Sequence, residues 1–355
     1  MSKKIVFNIG PDRDVMGGIS SVINTYCDST ALNQKYNIIR IASHRDGSKI
    51  YKFLVAIKAY IKFIYLLFRH INCDKIVHLH VSSNASYFRK SVFFYIAKLF
   101  NCKIIFHIHA GKFIKFYNNS KLLIRRNISF ILNHSNLIIS LSHNWKNYLL
   151  NSNITNNRKI FVLPNPINTC AYKQSDLKTL NILFLGRLGK NKGTYDILKI
   201  IPKVVESNPN VRFLFAGDGD VKAIAEQAFK DKIDKNVKLL GWVSGNQKYE
   251  LLGSGYMLLL PSYYESFGIS IIEAMASGMP VIASNVGAIP EIIKHGYNGF
   301  IIEPGDIDGL YKYIMLLLAN KELAQQMGTR NYKEARDKYD VNVVIEKLID
   351  IYDAI

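Results

Sequence analysis

The pattern that opens the chain restarts halfway along it. An apolar run at residues 4–9 passes through a glycine-bearing loop into a helical stretch at residues 19–26. Residues 181–185 do the same, through Gly186-Arg-Leu-Gly-Lys-Asn-Lys-Gly193. Further short apolar runs fall at 37–42, 75–80, 103–109, 137–141 and 160–163, then at 211–216, 237–240, 256–260 and 281–284. Runs of this length, bounded by turn residues and separated by helical periodicity, predict parallel strands covered by helices. The expected fold class is α/β, with two doubly wound Rossmann-like domains. In such sheets ligands bind beyond the carboxyl ends of the strands. The polar, aperiodic residues 169–180 place the boundary near 172, giving domains 1–172 and 173–355. A chain of 355 residues fits two domains.

The most informative stretch is residues 261–288, PSYYESFGISIIEAMASGMPVIASNVGA. It reads as the end of a strand, a polar loop, a helix stopped by Gly278 and Pro280, and another strand. Gly268 lets a ligand approach the backbone where the helix begins, and free N–H groups there suit an anion. Glu265 precedes the helix and Glu273 lies about two turns in. Arg187 and Lys192 stand among glycines at the start of another helix. Charge-assisted bonds and the helix dipole there suit a diphosphate. Gly17 and Gly18 precede the helical stretch at 19–26 and can present backbone to a phosphate or sugar.

Glu-Ser-Phe-Gly-Ile-Ser-Ile-Ile-Glu-Ala, followed by Ser-Gly-Met-Pro-Val-Ile-Ala, resembles the E-x7-E signature of the retaining glycosyltransferase family four. That likeness implies the GT-B fold, two Rossmann-like domains facing across a cleft. Other stretches carry the same likeness. Met16-Gly-Gly-Ile resembles the family's first glycine loop, and Ile104-Ile-Phe-His-Ile-His-Ala-Gly the strand end that places a histidine at the donor sugar, His109 matching best. Pro164-Asn-Pro-Ile-Asn resembles the crossing between domains, and Gly186-Arg-Leu…Lys-Gly the diphosphate loop. The likeness is strong over residues 181–305 and weak over 30–100.

The resemblance implies a reaction that moves a sugar, with retention, from a nucleotide diphosphate (UDP on family base rates) to a glycan acceptor. Arg187, Lys192 and the amides of Phe267, Gly268 and Ile269 would neutralise the diphosphate. Glu273 would bind the ribose, and backbone at Trp242 and Val243 would border the base. Gly17 and Gly18 would touch the donor, while His109 and Glu265 would act at its sugar. The nucleotide sugar is then a co-substrate, with no cofactor and no metal expected. The final helix, about 341–355, would pack back on the first domain. A nucleotide-sugar epimerase of the same fold, whose product is an altered free nucleotide sugar, is the alternative within enzymes.

Other readings rest on single features. Asp12-x-Asp14 has the spacing of a metal-binding pair, but the same pattern recurs at Asp218-x-Asp220 and Asp306-x-Asp308, which discounts it. His78/His80 and His107/His109 each lie i, i+2 on a strand face; such pairs can ligate a metal or simply pack. Four cysteines without a C-x-x-C pair favour a reducing compartment. The first residues enter a strand at once, so no signal peptide is read there.

Charge is uneven. Residues 1–175 hold 25 Lys and Arg against 5 Asp and Glu, and residues 176–355 hold 21 against 22. One half therefore suits an anionic partner. Residues 49–70 form a basic helix, its apolar stripe carrying Ile50, Phe53, Leu54, Ile57, Ile61, Ile64, Tyr65 and Phe68. It reads either as a core helix with lysines in water or as an interfacial membrane helix. Residues 111–126 read as a mobile basic and aromatic segment, and Lys112, Lys115, Arg125 and Arg126 as an acceptor or membrane surface. Bacterial members of the family often build cell-surface polysaccharide on a lipid-diphosphate carrier. The expectation is therefore a cytoplasmic protein, peripheral on the inner face of an anionic membrane, with a glycan or lipid-linked acceptor. A basic nucleic-acid-binding protein is the reading from another class, but no recognition motif supports nucleic acid as a partner.

Overall fold

Twelve parallel strands form two six-stranded sheets in this computed structural model, which describes residues 3–109 and 111–355. The first sheet contains β1 (Ile5–Pro11), β2 (Asn37–His44), β3 (Lys75–Val81), β4 (Lys103–Ile108), β5 (Leu137–Ser140) and β6 (Ile160–Val162), in the order 2-1-3-4-5-6. The second contains β7 (Asn181–Leu185), β8 (Arg212–Ala216), β9 (Val237–Gly241), β10 (Met257–Leu260), β11 (Val281–Ser284) and β12 (Gly299–Ile302), in the order 12-11-10-7-8-9. Strand order reverses between β1 and β3 in one sheet and between β7 and β10 in the other. These switch points are where doubly wound sheets leave a crevice past their strand ends.

The inner strands are buried on both faces, as helix-covered parallel sheets require, while the edge strands β2 and β9 are mostly half-buried. Every residue of β3, β5, β10 and β11 is buried. Helix ends are set by local chemistry. The Asp306 carboxylate accepts from the Gly309 N–H at 2.8 Å and starts the Ile307–Ala319 helix. Asn320 does the same for Lys321–Tyr339 through the Leu323 N–H at 2.9 Å.

The chain divides into unit 1, Met1–Pro166 with Val341–Ile355, and unit 2, Ile167–Asp340. The boundary read near residue 172 thus lies inside unit 2. Ile167 bridges Asp340, and the Thr169 N–H and hydroxyl both donate to the Asp340 carboxylate, so residues 167–171 are tied into unit 2. The closing Val341–Asp353 helix meets unit 1 through Tyr352, whose hydroxyl bonds His78 Nδ1 at 2.7 Å, and through Asp353, which pairs with Lys35 and Tyr36.

Two elements differ from the sequence reading. The Lys49–Arg69 helix turns Ala56, Ala59, Phe63 and Leu67 to the core, not the longer stripe. Ile50, Phe53, Leu54, Ile61, Tyr65 and Phe68 are exposed. The helix has apolar residues on more than one face, and the face with alanines packs closest to the sheet. Residues 111–126 are largely helical rather than a loop: Lys112–Asn119 and Leu122–His134 are helices. Arg125 joins them, donating to the carbonyls of Ser120 at 2.9 Å and Asn118, with its guanidinium 5.7 Å from the Tyr117 ring. Among the described residues no helix is long and apolar enough to cross a membrane.

Candidate active site

In unit 2 two loops leave the sheet on either side of the β7/β10 switch point, and close backbone contacts lock them together. Gly193 has φ +69, and a Cβ there would lie 2.0 Å from the Pro261 carbonyl oxygen. Only glycine fits. The Tyr263 N–H donates to the Asn191 carbonyl at 3.0 Å across the same seam. The result is an ion pair between Lys192 and Glu265, both partly shielded from water. Arg187, on the same loop as Lys192, is exposed and forms no ion pair among the described residues.

Beyond Glu265, Gly268 takes φ +86 and starts the Ile269–Ala276 helix, with Phe267 buried beside it. A left-handed residue here turns the chain sharply, so the first amide groups of the helix stay close to the Glu265 loop. Glu273 sits in the second turn and is buried. Lys248 Nζ donates to its Oε1 at 2.6 Å and the Tyr172 hydroxyl at 3.0 Å. Burial, then the charge of Glu273, pushes the Tyr172 phenol far above its ordinary range, so it acts as a donor. Both bonds fall on one carboxylate oxygen. Lys248 and Tyr172 were missed from sequence because neither belongs to the quoted patterns and only tertiary packing brings them to Glu273.

The loops past β8 and β9 continue this row. Leu188 N–H donates to the Asp218 carbonyl at 2.6 Å, and Gly217 N–H to the Gly241 carbonyl at 2.7 Å. Trp242 and Val243 follow Gly241; Trp242 is exposed and Val243 half-buried. Arg187, Lys192, Glu265, Gly268 and the Trp242 turn thus all lie past strand ends of one sheet. The site combines two cations, two carboxylates and open helix-end amides, which suits an anionic ligand that also carries hydroxyls.

Unit 1 arranges its candidates differently. Gly17 takes φ +144 ahead of the Gly18–Asp28 helix, with open space where a Cβ would be. His109 follows β4 and is buried, its Nε2 2.8 Å from His80 Nδ1. His80 Nε2 donates to Asn8 Oδ1 at 3.2 Å, so His80 Nδ1 accepts and His109 carries its proton on Nε2. His109 Nδ1 is left as an acceptor. Burial, then Lys90, lowers His109 to about 3. His78 and His107 pair at 3.1 Å through Nε2 and Nδ1, with His107 Nε2 buried and unpartnered. Ligand nitrogens of His78, His80 and His107 lie within 4.8 Å of one another, and of these rings' nitrogens all but His107 Nε2 are hydrogen-bonded. Asp12 is bound to Arg45. Burial raises its carboxyl, but the Arg13 amide and the Arg45 and Arg40 charges outweigh that and hold it below its usual range. Lys112, Lys115 and Arg126 are exposed, whereas Arg125 is half-buried and committed to its own helix junction.

Residues 172–334 match the family described as glycosyl transferases group 1. An uncharacterised 41.2 kDa protein in the cps region of Klebsiella pneumoniae is 30% identical over 318 residues, covering 81% of this chain and 83% of that one. The chain belongs to the group 1 glycosyl transferases. An uncharacterised glycosyltransferase of Methanocaldococcus jannaschii is 32% identical over 172 residues, 48% of this chain and 44% of that protein. The chain spans about half the length of several curated relatives it matches: 44%, 61% and 53% in three of them. Among solved structures, Anabaena HepE in complex with UDP superposes with a TM-score of 0.78, covering 99% of this chain and 100% of that one at 17% identity. That likeness supports the GT-B fold.

Proposed function

We propose that this glycosyltransferase moves a hexose or N-acetylhexosamine from a UDP-sugar to an acceptor hydroxyl, with retention of anomeric configuration. The observation that carries the reading is the Lys192–Glu265 pair beside the Gly268 turn, within the stretch that matches the family. UDP as the nucleotide draws support from HepE, whose crystals contain UDP and, in another complex, UDP-glucose. The diphosphate would be held by Arg187, Lys192 and the amides from Phe267 to Ile269, so that two cations and a helix dipole meet its charge. Glu273, fixed by Lys248 and Tyr172 through one oxygen, would offer the other to the ribose. The Trp242–Val243 turn would border the base. Glu265 would hold sugar hydroxyls and stabilise the oxocarbenium-like charge as the leaving group departs. His109, as an acceptor at Nδ1, and the Gly17–Gly18 turn are our remaining donor-sugar candidates. Hydrolysis of UDP-, GDP- and ADP-sugars by the full chain, with and without EDTA, tests this. UDP-sugar turnover surviving EDTA is expected; turnover abolished by chelation and restored by Mn²⁺ would hand the chemistry to Asp12 and Asp14.

Arg187→Ala and Glu273→Gln are each expected to weaken UDP-sugar binding by about 1.5–3 kcal/mol, the usual worth of a charge-assisted contact. Glutamine is used at 273 because alanine would strand Lys248. Calorimetry reading wild-type affinity in either variant removes that residue from the donor site.

We further propose a lipid-linked glycan acceptor, in surface-polysaccharide synthesis at the inner face of an anionic membrane. Support comes from the basic first half of the chain, from unit 1's exposed apolar side chains, including Phe53, Ile61, Phe68, Leu122 and Leu123, and from the exposed Lys112, Lys115 and Arg126. Each cation near an anionic leaflet adds about 1 kcal/mol. Flotation with anionic liposomes is expected at low salt and reversal at high salt, unless the apolar face inserts. Charge reversal at Lys112, Lys115 and Arg126 should weaken binding and spare donor hydrolysis. Wild type that stays wholly unbound at low salt would discard the membrane claim.

A further inference from the structure

Unit 1 has a cavity of about 300 Å³ at its own switch point, past the ends of β1 and β3. The Gly17–Gly18 turn, His44, Arg89 and Lys90 line it, with Ser82 and Ser86. Lys90 belongs to the Ala85–Leu99 helix and is 1% exposed, yet its ammonium makes no hydrogen bond or ion pair among the described residues. Arg89 Nε and His44 Nδ1 are likewise buried without partners. No carboxylate is among the lining residues. The acids nearby are engaged elsewhere, Asp12 with Arg45 and Asp46 3.7 Å from the far nitrogen of His44.

An unpaired buried cation is costly, because desolvation is not offset by an opposite charge. Here the Lys90 ammonium, Arg89 Nε and His44 Nδ1, from one helix and the end of β2, lie around one space, beside the start of an 11-residue helix. A ligand that brings negative charge would satisfy all of them at once. Burial, then Arg89, brings Lys90 down to about 7, consistent with a cation that nothing neutralises. A doubly charged tetrahedral oxyanion fits donors that come from several directions, and the cavity volume leaves room for the group that carries it.

We propose that this cavity is a phosphate subsite and that it holds a phosphate group of the acceptor. The assignment to the acceptor rests on the transferase reading, in which the donor diphosphate is met by Arg187 and Lys192 of unit 2. Lys90 and Arg89 would then select acceptors that carry a phosphate over neutral glycans.

The test uses the full-length protein, with inorganic phosphate and UDP as separate probes at constant ionic strength. Phosphate is expected to raise the melting temperature of wild type in a saturable way. Lys90→Met should melt higher than wild type without phosphate, since an unpaired buried charge is gone, and bind phosphate at least tenfold more weakly. Its UDP affinity should match wild type. Arg89→Gln should weaken phosphate in the same direction, which keeps the test decisive if Lys90→Met does not fold. Wild type indifferent to phosphate, or variants that respond as wild type does, would overturn the subsite. Parallel loss of phosphate and UDP affinity in the variants would give the cations to the donor diphosphate and overturn the acceptor assignment. Phosphate binding is read without turnover, so its failure leaves UDP-sugar hydrolysis intact. Failure of hydrolysis with phosphate still bound sinks the transferase reading alone.

Discussion

Glu265→Gln is expected to lower turnover with a UDP-sugar by about 100- to 1000-fold while UDP affinity changes little. The amide has the shape of the carboxylate but a single acceptor oxygen, so it keeps one of two contacts: Lys192 on Oε2, or the Ser266 N–H, which donates to Oε1 at 3.0 Å. The loop itself is set by glycines. A Cβ on Gly287 would lie 2.2 Å from the Glu265 carbonyl oxygen, and Gly193 is held against Pro261. Neither contact involves the changed group, so the fold should persist. What is lost, on the proposed reading, is one negative charge where positive charge develops on the sugar as the diphosphate leaves. An interaction made mainly in the transition state lowers kcat and kcat/KM together. Lys192→Met should behave differently, weakening UDP binding, since on the proposed reading its cation meets the diphosphate before reaction. Steady-state kinetics on both variants decides. Turnover of Glu265→Gln within threefold of wild type would remove Glu265 from the chemistry.

The second large effect is on stability in acid. His78, His80, His107 and His109 are buried in unit 1, and burial first, then neighbouring charges, holds all four well below the ordinary histidine range. In the unfolded chain they titrate near 6.5. Above that value both states are neutral and stability is fully present. As pH falls from there towards the folded values, the unfolded state binds protons that the folded state refuses, and stability is lost. Each histidine contributes about 1.4 kcal/mol per pH unit across that window, so four cost several kcal/mol between pH 6.5 and 5. The chain holds two tryptophans, Trp145 in unit 1 and Trp242 in unit 2. Denaturant melts of Trp242→Phe report unit 1, and those of Trp145→Phe report unit 2. The unit 1 midpoint should drop sharply from pH 7 to pH 5 and the unit 2 midpoint much less. Equal movement of the two would show that the imidazoles are not the cause.

Strand positions were legible because each is a short apolar run closed by a turn residue, and the left-handed glycines at 193 and 268 mark where backbone must pass close or turn sharply. The pairing of Lys192 with Glu265 was not legible. It depends on β7 and β10 being neighbours, and the strands are far apart in sequence. The histidines show the same limit. Alternation puts His78 with His80 on one strand face, but only the β3/β4 register, with His80 level with His107, stacks them into one network. The core face of the Lys49–Arg69 helix was misread because large apolar side chains draw attention, while two alanines make the close approach. Residues 111–126 hid their helices because lysines and arginines there mask a short periodic pattern.

The way the chain closes has a consequence for synthesis. Unit 2 is one continuous segment, whereas unit 1 is assembled from the first 166 residues and the last fifteen. The Tyr352 hydroxyl completes the histidine network, and Asp353 caps Tyr36 and Lys35. On a ribosome the first sheet therefore emerges early but lacks these partners until the final helix has left the exit tunnel. Unit 2 can finish before the unit that precedes it, reversing the usual N-to-C order. Until then His78 Nδ1 lacks its Tyr352 partner, so nascent unit 1 stays incomplete for longer than unit 2.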